Sequence, residues 1–148
     1  MEIQWHEGLA TGVDTIDKQH KEIFERIATL ISVDLETLES EQKDAALHKL
    51  LRFLGGYVID HFKAEEEFMT RSHYPEYDQH KKEHMEFLKS YSSLVRMFEK
   101  EGATDLIVTA TQNQAVDWLI KHIKGTDQKV TAFLKESGYF AKAKDKVN

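Results

Sequence analysis

The sequence predicts an all-α protein: an antiparallel up-down-up-down four-helix bundle with an irregular N-terminal arm. Three observations carry that reading. One proline and seven glycines in 148 residues leave long uninterrupted stretches, as long helices joined by short turns require. Apolar residues recur at three- and four-residue steps, the period of an amphipathic helix, in four stretches. Five of the eight histidines fall on those same apolar stripes, and an up-down bundle brings their positions to one level.

Residues 1–15 carry Trp5, Gly8 and Gly12 without a helical period and read as the arm. The first helix begins near Asp14 or Asp17, either of which could cap it. Its stripe is Ile16, Ile23, Phe24, Ile27, Leu30, Ile31, Leu35 and Leu38, with His20 on the same face. Ser40, Glu41 and Gln42 end this helix or link it to the next. The second helix runs roughly from Lys43 to Thr70, with Leu47, Leu50, Leu51, Leu54, Val58, His61, Phe62, Glu65, Phe68 and Met69 inward. Gly55-Gly56 interrupts it at about 1 kcal/mol per glycine relative to alanine, which points to a mild kink or a close helix approach. The third helix starts after Pro75, carries Tyr77, His80, His84, Phe87, Tyr91, Leu94 and Phe98, and ends at Glu101-Gly102. The fourth begins near Thr104 with Val108, Ala115, Trp118, Leu119, His122 and Ile123. Beyond Gly125 the stripe resumes out of phase with Asp127, Val130, Phe133 and Leu134, until Ser137-Gly138 closes the helix. Residues 139–148, rich in lysine, read as a loose tail, so the chain reads as one domain over 1–148.

Composition narrows the function. Without cysteine, disulfides, zinc-thiolate sites and iron–sulfur clusters are excluded. A net charge of −6 with both signs interspersed argues against nucleic-acid binding. No run of about 18 apolar residues is present, so no membrane insertion is expected. The N-terminus has neither the basic start nor the apolar stretch of a signal peptide, which makes a cytoplasmic protein the expectation; a monomer is expected as well.

The chemistry is concentrated between His61 and His84. His61 and Glu65 are four residues apart, then the chain reverses around Tyr74-Pro75, and His80 and His84 are again four apart. Four residues is one turn plus about 40°, a rise of about 6 Å, so each pair projects from one face towards a common centre. His20 lies near the start of the first helix, His61 and Glu65 near the end of the second, His80 and His84 near the start of the third, and His122 near the end of the fourth. In an up-down bundle those four ends share one level. Burying that set without a cation costs several kcal/mol. His122 and Asp127 are five apart, about 140° round a regular helix, so Asp127 needs a local unwinding or break at Gly125 to face the same centre. His6, His48 and His73 read as bystanders, and Glu66 and Glu67 as a solvated face.

The order His20, His61-x-x-x-Glu65, His80-x-x-x-His84, His122-x-x-x-x-Asp127 resembles the signature of the hemerythrin family. The setting I-D-K-Q-H before His20 and E-E-x-F-M…Y-P…H after His61 is similar to its bacterial branch, the bacteriohemerythrins. The resemblance implies two iron ions per chain. His80, His84 and His122 would hold one and His20 and His61 the other, with Glu65, Asp127 and a solvent-derived oxo or hydroxo group as bridges. Six ligands then surround the first ion and five the second, leaving one vacant position for dioxygen, which implies reversible oxygen binding for storage, transport or delivery, without enzymatic turnover. Leu119 and Ile123, with Trp118, Ile23, Phe24 and Phe62 behind them, are the expected pocket walls. Oxygen, nitric oxide or redox sensing, or peroxide reduction, would use the same site. A zinc hydrolase is the remaining alternative, because His80-Lys-Lys-Glu83-His84 matches the inverted zinc-peptidase pattern with Glu83 as general base.

Overall fold

Each predicted stripe closes onto a common core. The computed structural model describes residues 4–31 and 37–138; Leu35 and the tail 139–148 lie outside them. A 3-10 turn, Glu7–Leu9, precedes α1, Asp14–Ile31. Helix α2 is continuous and made of Ser40–Phe53, a π-helical turn Leu54–Val58 and Ile59–Arg71. Helix α3 spans Tyr77–Glu101. Helix α4 repeats the construction of α2, as Asp105–Ala110, a π-helical segment Thr111–Asp117 and Trp118–Lys124. Helix α5, Thr126–Glu136, continues it beyond Gly125. The rods α1, α2, α3 and α4–α5 pack as the four-helix bundle that the stripes predict.

The ends follow local chemistry. Asp14 opens α1, while Asp17 turns back to the arm and accepts hydrogen bonds from Thr11 N (2.8 Å), Thr11 Oγ1 (2.9 Å) and Gly12 N (3.3 Å). It clasps the arm where a helix cap was one expectation. Ser40 to Gln42, expected as an end or a linker, form the first turn of α2, and Gln42 Oε1 accepts from Glu39 N at 3.2 Å. Thr104 caps α4 by accepting from Ile107 N at 3.3 Å. Gly102, at φ +77°, ends α3 in a conformation that favours glycine.

At Gly55 the neighbouring helix comes very close. A Cβ there would lie 2.0 Å from Tyr91 Oη, so only glycine admits the tyrosine. The close approach expected at Gly55-Gly56 is present, and the interruption takes the form of a wide helical turn.

Two apolar clusters organise the interior. The larger includes Ile23, Ile27, Leu54, Val58, Phe62, Phe87, Leu119 and Ile123, all nearly inaccessible to solvent. The smaller, Met69, Tyr74, Val130 and Leu134, seals one end of the bundle. Between them runs a polar layer: Glu65 falls between Phe62 and Met69 on α2, and Asp127 falls between Ile123 and Val130. Among the described residues, no helix is long and apolar enough to cross a membrane.

Candidate metal centre

The five inward histidines and two inward acids meet in that layer. His20 comes from α1, His61 and Glu65 from α2, His80 and His84 from α3, His122 from α4 and Asp127 from α5, and none is more than 6% exposed. Taking so many polar groups out of water is costly unless each finds a partner. Asp127 joins them because Gly125 breaks the last helix, with φ −108° and ψ −74°. A Cβ at Gly125 would sit 3.1 Å from Lys121 O, tighter than a side chain normally tolerates.

The donor atoms converge as ligands do. His61 Nε2 lies 2.7 Å from Glu65 Oε1, and Asp127 Oδ1 lies 3.1 Å from His80 Nε2 and 3.2 Å from His122 Nε2. Asp127 Oδ2 lies 3.1 Å from His20 Nε2, and the Nε2 atoms of His84 and His122 are 3.0 Å apart. Two ligands at right angles on one ion, with bonds of about 2.1 Å, stand about 3 Å apart. Yet His20 Nε2, His61 Nε2, His80 Nε2, Glu65 Oε1 and both Asp127 oxygens make no well-formed hydrogen bond among the described residues. They are close to one another without pairing as hydrogen bonds. Two overlapping groups result: Glu65, His80, His84, His122 and Asp127, and His20, His61, Glu65 and Asp127. The two carboxylates belong to both.

Three outer side chains fix the imidazoles. Gln19 Oε1 on α1 stands 2.7 Å from His61 Nδ1 on α2. Glu66 Oε2 on α2 stands 2.8 Å from His84 Nδ1 on α3, and Glu83 Oε2 on α3 stands 2.9 Å from His122 Nδ1 on α4. In each case Nδ1–H donates outward, which leaves the Nε2 lone pair facing the centre. The Nε2 atoms of His84 and His122 stand 3.0 Å apart, close enough to share one proton or to flank a cation. Each rod orients a histidine of the next rod in chain order. The series stops at Gln128, beside Asp127, whose Nε2 donates to Leu9 O (3.2 Å) and Ile123 O (3.3 Å) and so ties the arm to the helix break.

Gln19, Glu66 and Glu83 are the residues that sequence reasoning missed. Glu66 is not the solvated residue it was expected to be. Glu83 does not serve a zinc-bound water in the hydrolase pattern; its Oε2 is taken by His122 and by the Thr126 hydroxyl, which donates at 2.7 Å. One signal was available: all three are adjacent in sequence to an inward residue, His20, Glu65 and His84.

Charge in the layer is tightly balanced. Burial works against protonation of His80, but Asp127 and Glu65 outweigh it and push its pKa up to about 10. His20 and His122 are also raised, burial being overcome in each by Asp127. His84 is lowered, by burial first and then by the neighbouring His122 and His80. Burial alone would raise Asp127 and Glu65, yet the surrounding histidines hold both below the usual carboxylate range.

Of the residues expected as pocket walls, Phe62 and Trp118 pack against imidazoles and the other four belong to the apolar core. Phe62 stacks on His84 (centroids 4.0 Å apart, planes 8° apart) and Trp118 on His122 (4.8 Å, 10°). Leu119, Ile123 and Ile23 are fully buried and Phe24 nearly so. A small cavity of about 20 Å³ reaches Glu65 and Asp127 from elsewhere, between Thr11, Ile16, Met69, Thr131 and Leu134, and none of the six expected residues lines it. His6, His48 and His73 are exposed and away from the layer.

The hemerythrin HHE cation binding domain matches the chain over residues 11–134. A bacteriohemerythrin of Stenotrophomonas maltophilia is 30% identical over 125 residues, 84% of this chain and 76% of the relative. A bacteriohemerythrin of Pseudomonas paraeruginosa is 31% identical over 83% of this chain and 75% of its own length. A myohemerythrin of Theromyzon tessulatum is 30% identical over 85% and 88%. No solved structure gives a match of comparable strength. A bundle with a buried layer of histidine and carboxylate, matched over nearly its whole length, belongs to the hemerythrin HHE cation-binding family.

Proposed function

We propose that this chain binds two iron ions in the buried layer and takes up dioxygen reversibly there, as a carrier, store or donor of oxygen. The observation that supports this best is the donor set itself: five imidazoles and two shared carboxylates, in two overlapping groups, with several of their buried atoms left without hydrogen-bond partners. Imidazole suits iron, and an arrangement in which neutral ligands predominate adds little negative charge, which favours the ferrous state. Ferritin-like di-iron sites rely on four carboxylates with two Glu-x-x-His motifs. When bound, the two irons supply the electrons for reversible oxygen uptake.

The chain's own residues do the rest. His80, His84 and His122 hold one ion, His20 and His61 the other, and Glu65 and Asp127 are shared. Gln19, Glu66 and Glu83 keep the Nε2 atoms of His61, His84 and His122 turned inward as lone-pair donors. The apolar packing of Phe62, Leu119 and Ile123 keeps water from the layer, which protects the reduced state. The test is an absorption spectrum of iron-loaded protein in air and then under argon, with iron counted per chain. Two irons and a coloured form that bleaches reversibly are expected; iron-replete protein without a charge-transfer band in air would sink the carrier reading.

A further inference from the structure

The outer partners of the histidines are unequal across the two groups. His84 and His122, in the group that also holds His80, each donate Nδ1–H to a carboxylate, Glu66 and Glu83. His61, in the other group, donates to the neutral amide oxygen of Gln19. His20 and His80 have no partner for Nδ1 among the described residues. At the Nδ1 atoms this leaves two carboxylate partners on one side and none on the other; Asp17 acts on His20 only through space, without a hydrogen bond to its ring. Glu83 is held further by the Thr126 hydroxyl at 2.7 Å, so its carboxylate does not swing away.

An imidazole whose N–H faces a carboxylate is a more basic donor through its other nitrogen than one facing an amide. A stronger donor stabilises the higher charge of the metal it holds. Resting on the di-iron reading above, we infer that Glu66 and Glu83 are positioning residues that set the two ions at different potentials. The ion at His80, His84 and His122 holds its ferric state more firmly, and the ion at His20 and His61 is reduced first. When a one-electron outer-sphere reductant gives one electron to the diferric protein, the iron at His20 and His61 becomes ferrous and the reductant is oxidised by one electron. No bond in the protein forms or breaks. The position that accepts the first electron is then the one with fewer histidines.

The experiment compares wild type, Glu66→Gln, Glu83→Gln and Gln19→Glu, each loaded with iron and titrated with reduced redox dyes to give two midpoint potentials. Glutamine in place of either glutamate keeps an acceptor for Nδ1–H but removes the charge. Glu66→Gln and Glu83→Gln are expected to weaken the ferric preference of the harder-to-reduce ion by about tenfold each, drawing the two potentials together. Gln19→Glu is expected to strengthen the ferric preference of the other ion, also closing the gap but from the opposite side. Zinc-loaded samples give a readout without redox chemistry: the Nδ1–H resonances of His84 and His122 should move upfield in the respective Glu→Gln variants. Wild-type protein that takes up no iron would refute the reading on which this rests. Two irons per chain with unmoved potentials, or Gln19→Glu shifting in the same direction as the two Glu→Gln variants, would overturn the inference alone.

Discussion

Six of the seven inward residues were visible in the sequence because helical phase determines what faces a bundle core; Asp127, out of phase with His122, was legible only through the family-like spacing and a break at Gly125. His61 and Glu65, or His80 and His84, need no tertiary information beyond a four-residue spacing and an apolar stripe. Gln19, Glu66 and Glu83 were not visible for the complementary reason. They leave the edge of the stripe, about 100° from a core-facing neighbour, and their role depends on which helix stands beside them. The two shared carboxylates carry the sharpest expectation at this scale. Because Glu65 and Asp127 belong to both donor groups, Glu65→Ala and Asp127→Ala should each lower the metal count from the proposed two ions per chain to one or fewer. His80, His84 and His122 still face one another in both. Elemental analysis against protein concentration measures this, and two ions retained in both variants would show that the groups are not joined through carboxylate.

The helices show where a regular period stops being a sufficient guide. Leu50, Leu54, Val58 and Phe62 are all buried, and so are Thr111, Ala115, Leu119 and Ile123. Each series advances in steps of four, which on a regular α-helix drifts by about 40° a step and about 120° over three. Such a drift would carry Phe62 and Ile123 off the core face. The π-helical turns at Leu54–Val58 and Thr111–Asp117 take up an additional residue and bring the series back. An unbroken run of four-residue spacings was therefore the sequence signal for them, obscured by the ordinary mixture of threes and fours nearby. The first turn is also where Tyr91 of α3 meets Gly55. Gly55→Ala should destabilise the protein by about 1–3 kcal/mol through its clash with Tyr91. Gly56→Ala, which meets nothing within 4 Å, should be neutral or stabilising by up to about 1 kcal/mol. Urea unfolding of the two variants separates a steric effect from a general intolerance of alanine in the turn.

For the molecule as a whole, protons and metal compete for one buried layer. His20, His80 and His122 are held above the ordinary histidine value of about 6.5. Each contributes stability that is complete below about pH 6.5 and is lost as pH rises through its folded value, about 10 for His80. His84, held low, contributes in the opposite direction. Glu65 and Asp127, held below the carboxylate range, contribute stability above about pH 4 that is lost on acidification. Metal-free protein should thus be most stable in mildly acidic solution and melt at progressively lower temperature between pH 6.5 and 10. Metal ions need the same groups deprotonated, so the gap between loaded and metal-free melting temperatures should widen as pH rises. Thermal melts of both forms at pH 6, 8 and 10 test this; metal-free protein more stable at pH 9 than at pH 6 would contradict it.

The two π-helical turns also bear on how the chain can change in length. A residue removed from a regular stretch of helix rotates everything beyond it by about 100°; lost between Ser40 and Phe53, it would turn His61 and Glu65 out of the layer. A residue removed from inside Leu54–Val58 or Thr111–Asp117 leaves a regular helix in place of a wide turn, with the same side chains still facing inward. Both turns lie just before donors, the first ahead of His61 and the second ahead of His122. The two rods that approach the layer from the far end of the bundle therefore each carry one residue of slack, and a shortening there is absorbed before it reaches the centre.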